Sequence, residues 1–183
     1  AKTYGVVNYL SSFGFTERWR RQCIEAIRWD GGSTQTVYDL MSGMGECWGL
    51  ILQKNAGTLR LIGVDISAEM NKRALQRLEK HPRWPIEVRQ ENVLQNDLEA
   101  SSADVVISTF GLKTFSEAQL ERLADEVARI LKPGGQFSMI EVSRPPWLPL
   151  RVLFLFYLNR IIPIIGALFM DDTDTYKMLG KYC

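Results

Sequence analysis

Ten residues in the first quarter of the chain carry its strongest structural signal: Thr36-Val37-Tyr38-Asp39-Leu40-Met41-Ser42-Gly43-Met44-Gly45. A short apolar run passes into a turn with two glycines, and a helical pattern follows from about Glu46 to Lys54. Glycine lets the backbone approach a ligand closely and can supply a positive φ. The order of strand, glycine turn and helix predicts the start of a βαβ unit, with either a binding loop or a plain tight turn between them.

Further strands are predicted outward from this stretch, at 59–64, 86–89, 103–108 and 137–140. Amphipathic helices are predicted between them, and the connections are short. Five alternations of strand and helix predict an α/β fold, in which a doubly wound, mostly parallel sheet carries helices on both faces. Additional helices are expected at 17–29 before the first strand, and at about 148–162 and 173–180 after the last.

Two of the intervening helices have clear boundary signals. Ser67 is expected to cap one of them, and the capping box Ser116-Glu117-Ala118-Gln119 begins the other. The second helix is expected to stop at Lys132-Pro133-Gly134-Gly135. Helical spacing places Leu75 and Leu120 on the apolar faces of these helices.

Composition excludes several classes of protein. The 183 residues include 22 Lys and Arg against 21 Asp and Glu, which gives a net charge of +1 and no electrostatic footprint for nucleic acid. Cys23, Cys47 and Cys183 are too few and too widely spaced for a disulfide framework or a zinc site, so no metal is expected. The cysteines and the absence of a signal peptide at the first residues favour a cytoplasmic location.

Unusual residues stand where the carboxyl ends of the predicted strands should meet, which is where open parallel sheets bind ligands. Gly43 and Gly45 follow the first strand. Asp65 ends the second strand, where a carboxylate can accept both hydroxyls of a ribose or interact with the start of the next helix. Asn92 follows the third strand, where it could bind an adenine edge or form a local turn.

The glycine turn also bears on the kind of nucleoside. A dinucleotide fingerprint needs a third glycine, and Trp48 occupies that position. No phosphate-binding loop with a Gly-Lys-Ser or Gly-Lys-Thr ending occurs in the chain. An adenosyl cofactor without phosphate, S-adenosylmethionine, therefore fits better than a nicotinamide dinucleotide.

Six segments resemble the class I S-adenosylmethionine-dependent methyltransferases, and among them the ubiquinone/menaquinone biosynthesis C-methyltransferase family. Met41 to Glu46, with the Asp-Leu before them, are similar to the family loop D-L-A-G-G-T-G-D, and 109–114 to the segment S-F-G-L-R-N. The other similar segments are Tyr4-Gly5-Val6-Val7-Asn8 with Trp19-Arg20-Arg21, Gly63-Val64-Asp65-Ile66-Ser67, Leu131-Lys132-Pro133-Gly134-Gly135 and Pro163-Ile164-Ile165-Gly166.

The resemblance implies a set of functional residues. S-adenosylmethionine is expected to contact Gly43, Met44, Gly45, Asp65, Ile66, Asn92, Val93 and Thr109. Lys113 and Tyr4 are the candidates for catalysis, with Lys113 stabilising a developing quinolate. A solvated loop lysine is the alternative interpretation of Lys113. The only histidine, His81, is expected at the opposite end of the sheet, on the surface.

The chain departs from the family pattern in four places. Met41 and Met44 replace smaller residues, Glu46 replaces Asp, and Lys113-Thr114 replaces Arg-Asn. Lysine and arginine are not equivalent, which bears on the mechanism and the substrate. Family members also continue beyond Cys183 with two final strands, so this sequence is expected either to be a piece of a longer chain or to lack those strands.

The resemblance also implies a single methyltransferase domain over 1–183. We expect a helical cap at 1–30, a Rossmann-like core at 36–143 and a helical substrate-side segment at 147–183. The apolar stretch 147–170 is too interrupted to span a membrane. It could cover the site of a prenylated quinol, touch a membrane surface, pack on the sheet or pair with a second copy in a homodimer.

Three further functions stay open at this point. The chain could methylate another small molecule, or it could be a non-catalytic homologue that binds S-adenosylmethionine. A nicotinamide-dependent oxidoreductase is the fourth candidate, and Trp48 disfavours it.

Overall fold

A computed structural model describes residues 15–54, 59–143 and 146–161 of the chain. The helices of this part are α1 (Phe15–Glu25), α2 (Trp48–Lys54), α3 (Ala68–Glu79), α4 (Glu117–Ile130) and α5 (Leu148–Phe156). The strands are β1 (Gln35–Leu40), β2 (Leu59–Asp65), β3 (Ile86–Gln90), β4 (Ala103–Thr109) and β5 (Leu131–Ile140). A short 3₁₀ helix covers Leu112–Thr114, and a π-helical turn at Tyr157–Ile161 continues α5.

The five strands form one parallel sheet in the order β3-β2-β1-β4-β5. Strand order reverses between β1 and β4, which lie side by side at the centre. Because all strands run the same way, their carboxyl ends share one edge of the sheet. The predicted α/β fold with a doubly wound parallel sheet is confirmed.

Each face of the sheet has its own core. Val37 of β1 lies on one face with Ile24 of α1 and with Trp48 and Ile51 of α2. The other face packs α4 against the sheet, through Leu40, Val64, Val106, Leu123 and Val127. Alternation along β1 thus directs Val37 and Asp39 to the α1–α2 side, while Tyr38 and Leu40 face α4.

The predicted helix boundaries are confirmed where the caps were recognised. Ser67 Oγ accepts a hydrogen bond from the Met70 backbone N–H, and Ser116 and Gln119 form both hydrogen bonds of a capping box. The prediction that Leu75 and Leu120 lie on buried faces is wrong, since their side chains are 52% and 38% exposed. They flank the buried stripes of α3 and α4, whose centres are Ala74 and Val127.

Two predicted elements have different limits in the structure. The first helix ends at Glu25 and not near 29, because Trp29 turns back and its Nε1 donates to the Ile24 carbonyl oxygen, 3.0 Å away. Strand β5 begins at Leu131, ahead of the Pro-Gly-Gly turn that was expected to precede it. The pairing with β4 shifts register across this turn, so the turn is a bulge within the strand.

The described chain divides into two compact units. One comprises 20–140 and contains the whole sheet, and the other includes the described residues 15–19, 141–143 and 146–161. In the second unit, α5 and its π-helical turn confirm the helix expected at 148–162 as far as the described residues extend. Tyr4, the Pro-Ile-Ile-Gly segment and the helix expected at 173–180 lie outside the described residues. Within the described ranges, no helix is long and apolar enough to cross a membrane.

Candidate active site

The residues predicted to bind the cofactor gather at the carboxyl edge of the sheet. The glycine loop at 41–47 follows β1, Asp65 ends β2, Asn92 and Val93 follow β3, and Thr109 ends β4. Parallel pairing brings these strand ends side by side, because β1 has β2 on one side and β4 on the other. His81 is exposed at the opposite end, in the turn before β3, and stacks on Trp84, as expected of a surface histidine.

The glycine loop turns in the left-handed region at both glycines. Gly43 has φ +56° and Gly45 has φ +73°, and the Gly45 N–H donates to the Ser42 carbonyl oxygen at 2.9 Å. Met41, immediately before, also has a positive φ of 56°, which is uncommon for a residue with a side chain. The loop therefore leaves β1 through a tight, fixed turn and leads directly into α2.

Trp48 fills the space beneath this loop and is fully buried. A Cβ atom on Gly45 would lie 2.3 Å from Trp48 Cε3, and one on Gly63 of β2 would lie 2.6 Å from Trp48 Cζ2. The two glycines thus make room for the indole ring. In a dinucleotide fingerprint the third glycine allows close helix packing, whereas here the helix carries the bulky residue and the loop and strand carry the glycines.

Asp65 connects the glycine loop to the start of α3. Its Oδ2 accepts a hydrogen bond from the Gly43 N–H at 2.9 Å, and its Oδ1 accepts one from the Ser67 N–H at 2.8 Å. The second contact is the helix-start interaction that the sequence offered as the alternative to ribose binding. Each carboxylate oxygen has two acceptor sites, so both contacts leave capacity for ribose hydroxyls.

Glu46 accepts a hydrogen bond from the next backbone amide of the loop, that of Met44. Its Oε2 accepts a hydrogen bond from the Met44 N–H at 3.1 Å, and its Oε1 lies 3.9 Å from Nη2 of Arg20 on α1. From sequence, Glu46 is only a departure from Asp and Arg20 only part of a family motif. Their contact joins residues 26 positions apart, so no local spacing predicts it.

Asp39 is a functional candidate that the sequence analysis missed. It is 2% exposed near the end of the central strand, and burial, together with the charge of Glu46, raises the pKa of its carboxyl to about 7. The Trp48 indole and the Arg20 charge oppose that rise. A carboxylate inside the apolar run Val37-Tyr38-Asp39-Leu40 is the signal that could have identified it, because acidic residues are rarely fully buried without a reason.

The raised pKa of Asp39 predicts a specific dependence of stability on pH. The pKa of the Asp39 carboxyl is about 7 in the folded protein, against an ordinary value of 3.8. Folding therefore takes up a proton at pH values between about 4 and about 7. As the pH rises through this range, the contribution of Asp39 to the free energy of unfolding falls. The loss approaches about 4 kcal/mol at most. Asp39→Asn is expected to flatten this decline in urea unfolding at pH 5 and pH 8.

Asp125, exposed on α4, provides the matched control. Asp125→Asn should keep the wild-type dependence on pH. An equally steep decline in Asp39→Asn would contradict the assignment of the buried titration to Asp39.

Ile66, Asn92 and Val93 lie around the ends of β2 and β3. Ile66 is 66% exposed, which is unusual for isoleucine next to a buried strand and suits stacking against a planar base. Val93 is buried at 4% exposure. Asn92 Oδ1 accepts the Leu94 N–H at 3.0 Å, so the local turn that the sequence left open as an alternative is present.

The end of β4 and the segment after it lie on the other side of the glycine loop, opposite the ends of β2 and β3. Thr109 Oγ1 lies 3.3 Å from Cys47 Sγ, and Phe110 has a positive φ of 63°. A Cβ on Gly111 would lie 2.6 Å from Met41 Sδ. Met41, which is larger than the residue of the family pattern, therefore packs against a position where only glycine leaves enough space. Lys113 lies half-buried in the short 3₁₀ helix at this edge. The other catalytic candidate, Tyr4, is outside the described residues.

The charges of this edge favour one kind of cofactor. Carboxylates already accept from the Gly43 and Met44 N–H groups, the amides that a phosphate would need. The carboxylates of Glu46 and Asp65 lie in or beside the loop, and their charges would repel a pyrophosphate. A cofactor that carries a positive sulfonium and an adenosyl group fits these residues, as S-adenosylmethionine does.

The fold and the site thus define a class I S-adenosylmethionine-dependent methyltransferase. Residues 1–182 match the ubiE/COQ5 methyltransferase family, and the chain belongs to that family. It is 30% identical over 182 residues to the ubiquinone/menaquinone biosynthesis C-methyltransferase UbiE of Escherichia fergusonii, covering 99% of this chain and 71% of that protein.

Two other similar proteins agree with this class. The demethylmenaquinone methyltransferase of Desulfitobacterium hafniense is 28% identical over 181 residues, which cover 98% of this chain and 70% of that protein. The crystal structure of an S-adenosylmethionine-dependent methyltransferase from Aquifex aeolicus superposes with a TM-score of 0.58 at 17% identity, over 72% of this chain and 66% of that one. The structural likeness supports the fold, and the family supports the enzyme class and its cofactor.

Proposed function

We propose that this methyltransferase transfers a methyl group to a ring carbon of a prenylated quinol in menaquinone or ubiquinone biosynthesis. The family and the names of the relatives support this acceptor. The observation that carries the cofactor side is the pair of loop amides at Gly43 and Met44, both held by carboxylates. When bound, S-adenosylmethionine supplies an electrophilic methyl group on a good leaving group.

The protein's own residues bind the cofactor and orient it toward the acceptor. In our proposal Asp65 accepts the ribose hydroxyls, Ile66 stacks on the adenine, and Asn92 and Val93 line its edge. Gly43, Met44 and Gly45 bring the loop backbone close to the cofactor, and Thr109 faces it from β4. Alignment of nucleophile, methyl group and sulfur accounts for most of the rate enhancement, for which about 7–11 kcal/mol is attainable.

Lys113 is our candidate for activating the ring. An ammonium group that donates to a ring oxygen stabilises the negative charge which makes the neighbouring carbon nucleophilic. Lys113→Met is expected to lower kcat by about tenfold, since a half-buried cation acts in a partly solvated setting. Affinity for S-adenosylhomocysteine should stay at the wild-type value.

The control for this position is Lys113→Arg, which restores the residue type of the family pattern. It should recover most of the rate, because the charge is kept although the donor geometry changes. Equal rates for wild type and Lys113→Met would leave Lys113 as a solvated loop lysine. Tyr4 remains the second catalytic candidate, on the family resemblance alone.

The acceptor assignment is tested by transfer of a tritiated methyl group to a short-chain demethylmenaquinol. Labelled quinol is the expected product. Label on other small molecules but on no quinol would favour a different acceptor. Binding of S-adenosylmethionine without transfer to any acceptor would favour a non-catalytic homologue.

We also propose that α5 contacts a membrane surface, where a prenylated quinol resides. Trp147 and Leu153 are 67% and 68% exposed, and Arg151 lies between them on the same segment. Apolar side chains accompanied by a cation suit an anionic lipid interface. We thus propose that the protein is cytoplasmic and associates with the membrane surface. We also propose that 1–183 is a single catalytic domain with a substrate-side segment at 147–183.

Sedimentation with phosphatidylglycerol vesicles tests the membrane contact. Leu153→Glu should reduce the bound fraction severalfold, because a charge would enter the interface. Leu75→Glu is the matched control, since Leu75 is also exposed, at 52%, but lies on α3 of the sheet unit. Equal binding by both variants would refute the role of α5.

The alternative role of α5 is to pair with a second copy of the chain in a homodimer. Size-exclusion chromatography distinguishes this homodimer from a monomer, and Leu153→Glu would convert the homodimer to monomer.

A further inference from the structure

Arg20 is a buried cation whose position links three elements. It lies on α1, is 7% exposed, and places Nη2 3.9 Å from Glu46 Oε1. Its guanidinium carbon lies 5.4 Å from the centroid of the Phe110 ring, in the segment after β4. Arginine is rarely buried without charged or aromatic partners, and Arg20 has both a carboxylate and an aromatic ring beside it.

Both partners of Arg20 belong to loops that flank the point where strand order reverses. Glu46 contacts Arg20 through one oxygen, and its other oxygen accepts the Met44 N–H at 3.1 Å. Phe110 has a φ of 63°, and its N–H donates to the Ile140 carbonyl oxygen at 2.9 Å. The side chain of Arg20 therefore contacts both the glycine loop and the segment after β4.

The charge of Arg20 also acts on Asp39. The Arg20 charge favours the ionised form of Asp39, whereas the charges of Glu46 and Asp65 oppose it. Burial raises the pKa of the Cys23 and Cys47 thiols, so both are neutral neighbours. The groups that act on or near Asp39 are Arg20 and Cys23 on α1, Glu46 and Cys47 in the glycine loop, Trp48 on α2, and Asp65 on β2.

We propose that Arg20 is a positioning residue of the cofactor site, which holds Glu46 and the glycine loop in place and sets the negative charge that this loop presents to the cationic cofactor. The proposal rests on the use of S-adenosylmethionine by this chain. Arg20 acts through Glu46 and Asp39 and needs no contact with the cofactor itself.

The test is calorimetric binding of S-adenosylmethionine to the whole chain between pH 5.5 and pH 9. Wild-type affinity should rise through neutral pH, as Asp39 ionises and attracts the cation. Arg20→Met should move the midpoint of this rise to higher pH, because a favourable charge is lost. Glu46→Gln should move it to lower pH, because an unfavourable charge is lost. Asp39→Asn should remove the rise.

The opposite directions separate the proposal from a purely structural role, since breaking one ion pair from either side would merely weaken binding in both variants. Arg20→Lys keeps the charge and should keep the wild-type midpoint. Arg20→Gln removes the charge but keeps a polar side chain, so it should raise the midpoint as Arg20→Met does and covers the case where Arg20→Met fails to fold. Midpoints that do not move, or that move in the same direction, would overturn the proposal while S-adenosylmethionine still binds. Absence of binding to the wild-type chain would overturn both the proposal and the methyltransferase function.

Discussion

Asp65→Ala is expected to weaken binding of S-adenosylmethionine by more than tenfold, on the order of 10²-fold. The substitution removes the acceptor that we propose for the ribose hydroxyls, where each charge-assisted hydrogen bond would contribute about 1–3 kcal/mol. It also releases the Gly43 N–H, which now donates to Asp65 at 2.9 Å. Calorimetric titration with S-adenosylmethionine measures the change directly.

Two variants make this result interpretable. Asp125→Ala removes an exposed carboxylate on α4 and should leave the affinity unchanged. Asp65→Asn keeps the shape of the side chain but offers one acceptor oxygen where two are used, so it should weaken binding in the same direction. Unchanged affinity in Asp65→Ala, with a normal unfolding midpoint, would refute the ribose role.

Gly45→Ala is expected to cause the largest loss of stability of any single methyl addition in the glycine loop. The new Cβ would lie 2.3 Å from Cε3 of Trp48, and the backbone φ of +73° is unfavourable for alanine. Trp48 is fully buried, so a shift of its ring would displace neighbouring core side chains. Together the clash and the backbone strain should lower the free energy of unfolding by about 2–5 kcal/mol, measured by urea denaturation.

Gly134 allows the two causes to be separated. It has a φ of +80°, but a Cβ there would meet nothing within 4 Å. Gly134→Ala should therefore cost only the backbone strain, about 1 kcal/mol. Equal losses in Gly134→Ala and Gly45→Ala would mean that the packing of Trp48 against Gly45 contributes nothing.

The sheet and the strand ends could be predicted from sequence because their signals are local. Apolar runs such as Val105-Val106-Ile107 mark buried strands, and the position of Asp65 at the end of one such run places it at the binding edge. The capping box at Ser116 is readable within four residues. Each of these features depends only on neighbours along the chain.

The charge arrangement of the site could not be predicted in the same way. The contact of Arg20 with Glu46 exists only once α1 packs beside the glycine loop. Whether Asn92 forms a turn or meets a ligand depends on loop geometry that its spacing leaves open. The interpretation of Trp48 as unsuited to a pyrophosphate stays a prediction, and the space that Gly45 and Gly63 leave for its ring involves a neighbouring strand, which local spacing does not show.

The most direct test of the central claim is a calorimetric titration of the wild-type chain with S-adenosylhomocysteine and, separately, with NAD. Carboxylates hold the Gly43 and Met44 amides, so the loop should accept the adenosyl amino acid and reject the pyrophosphate. We expect saturable binding of S-adenosylhomocysteine with one site per chain and no binding of NAD. Binding of NAD at that loop, or no heat with S-adenosylhomocysteine, would contradict it.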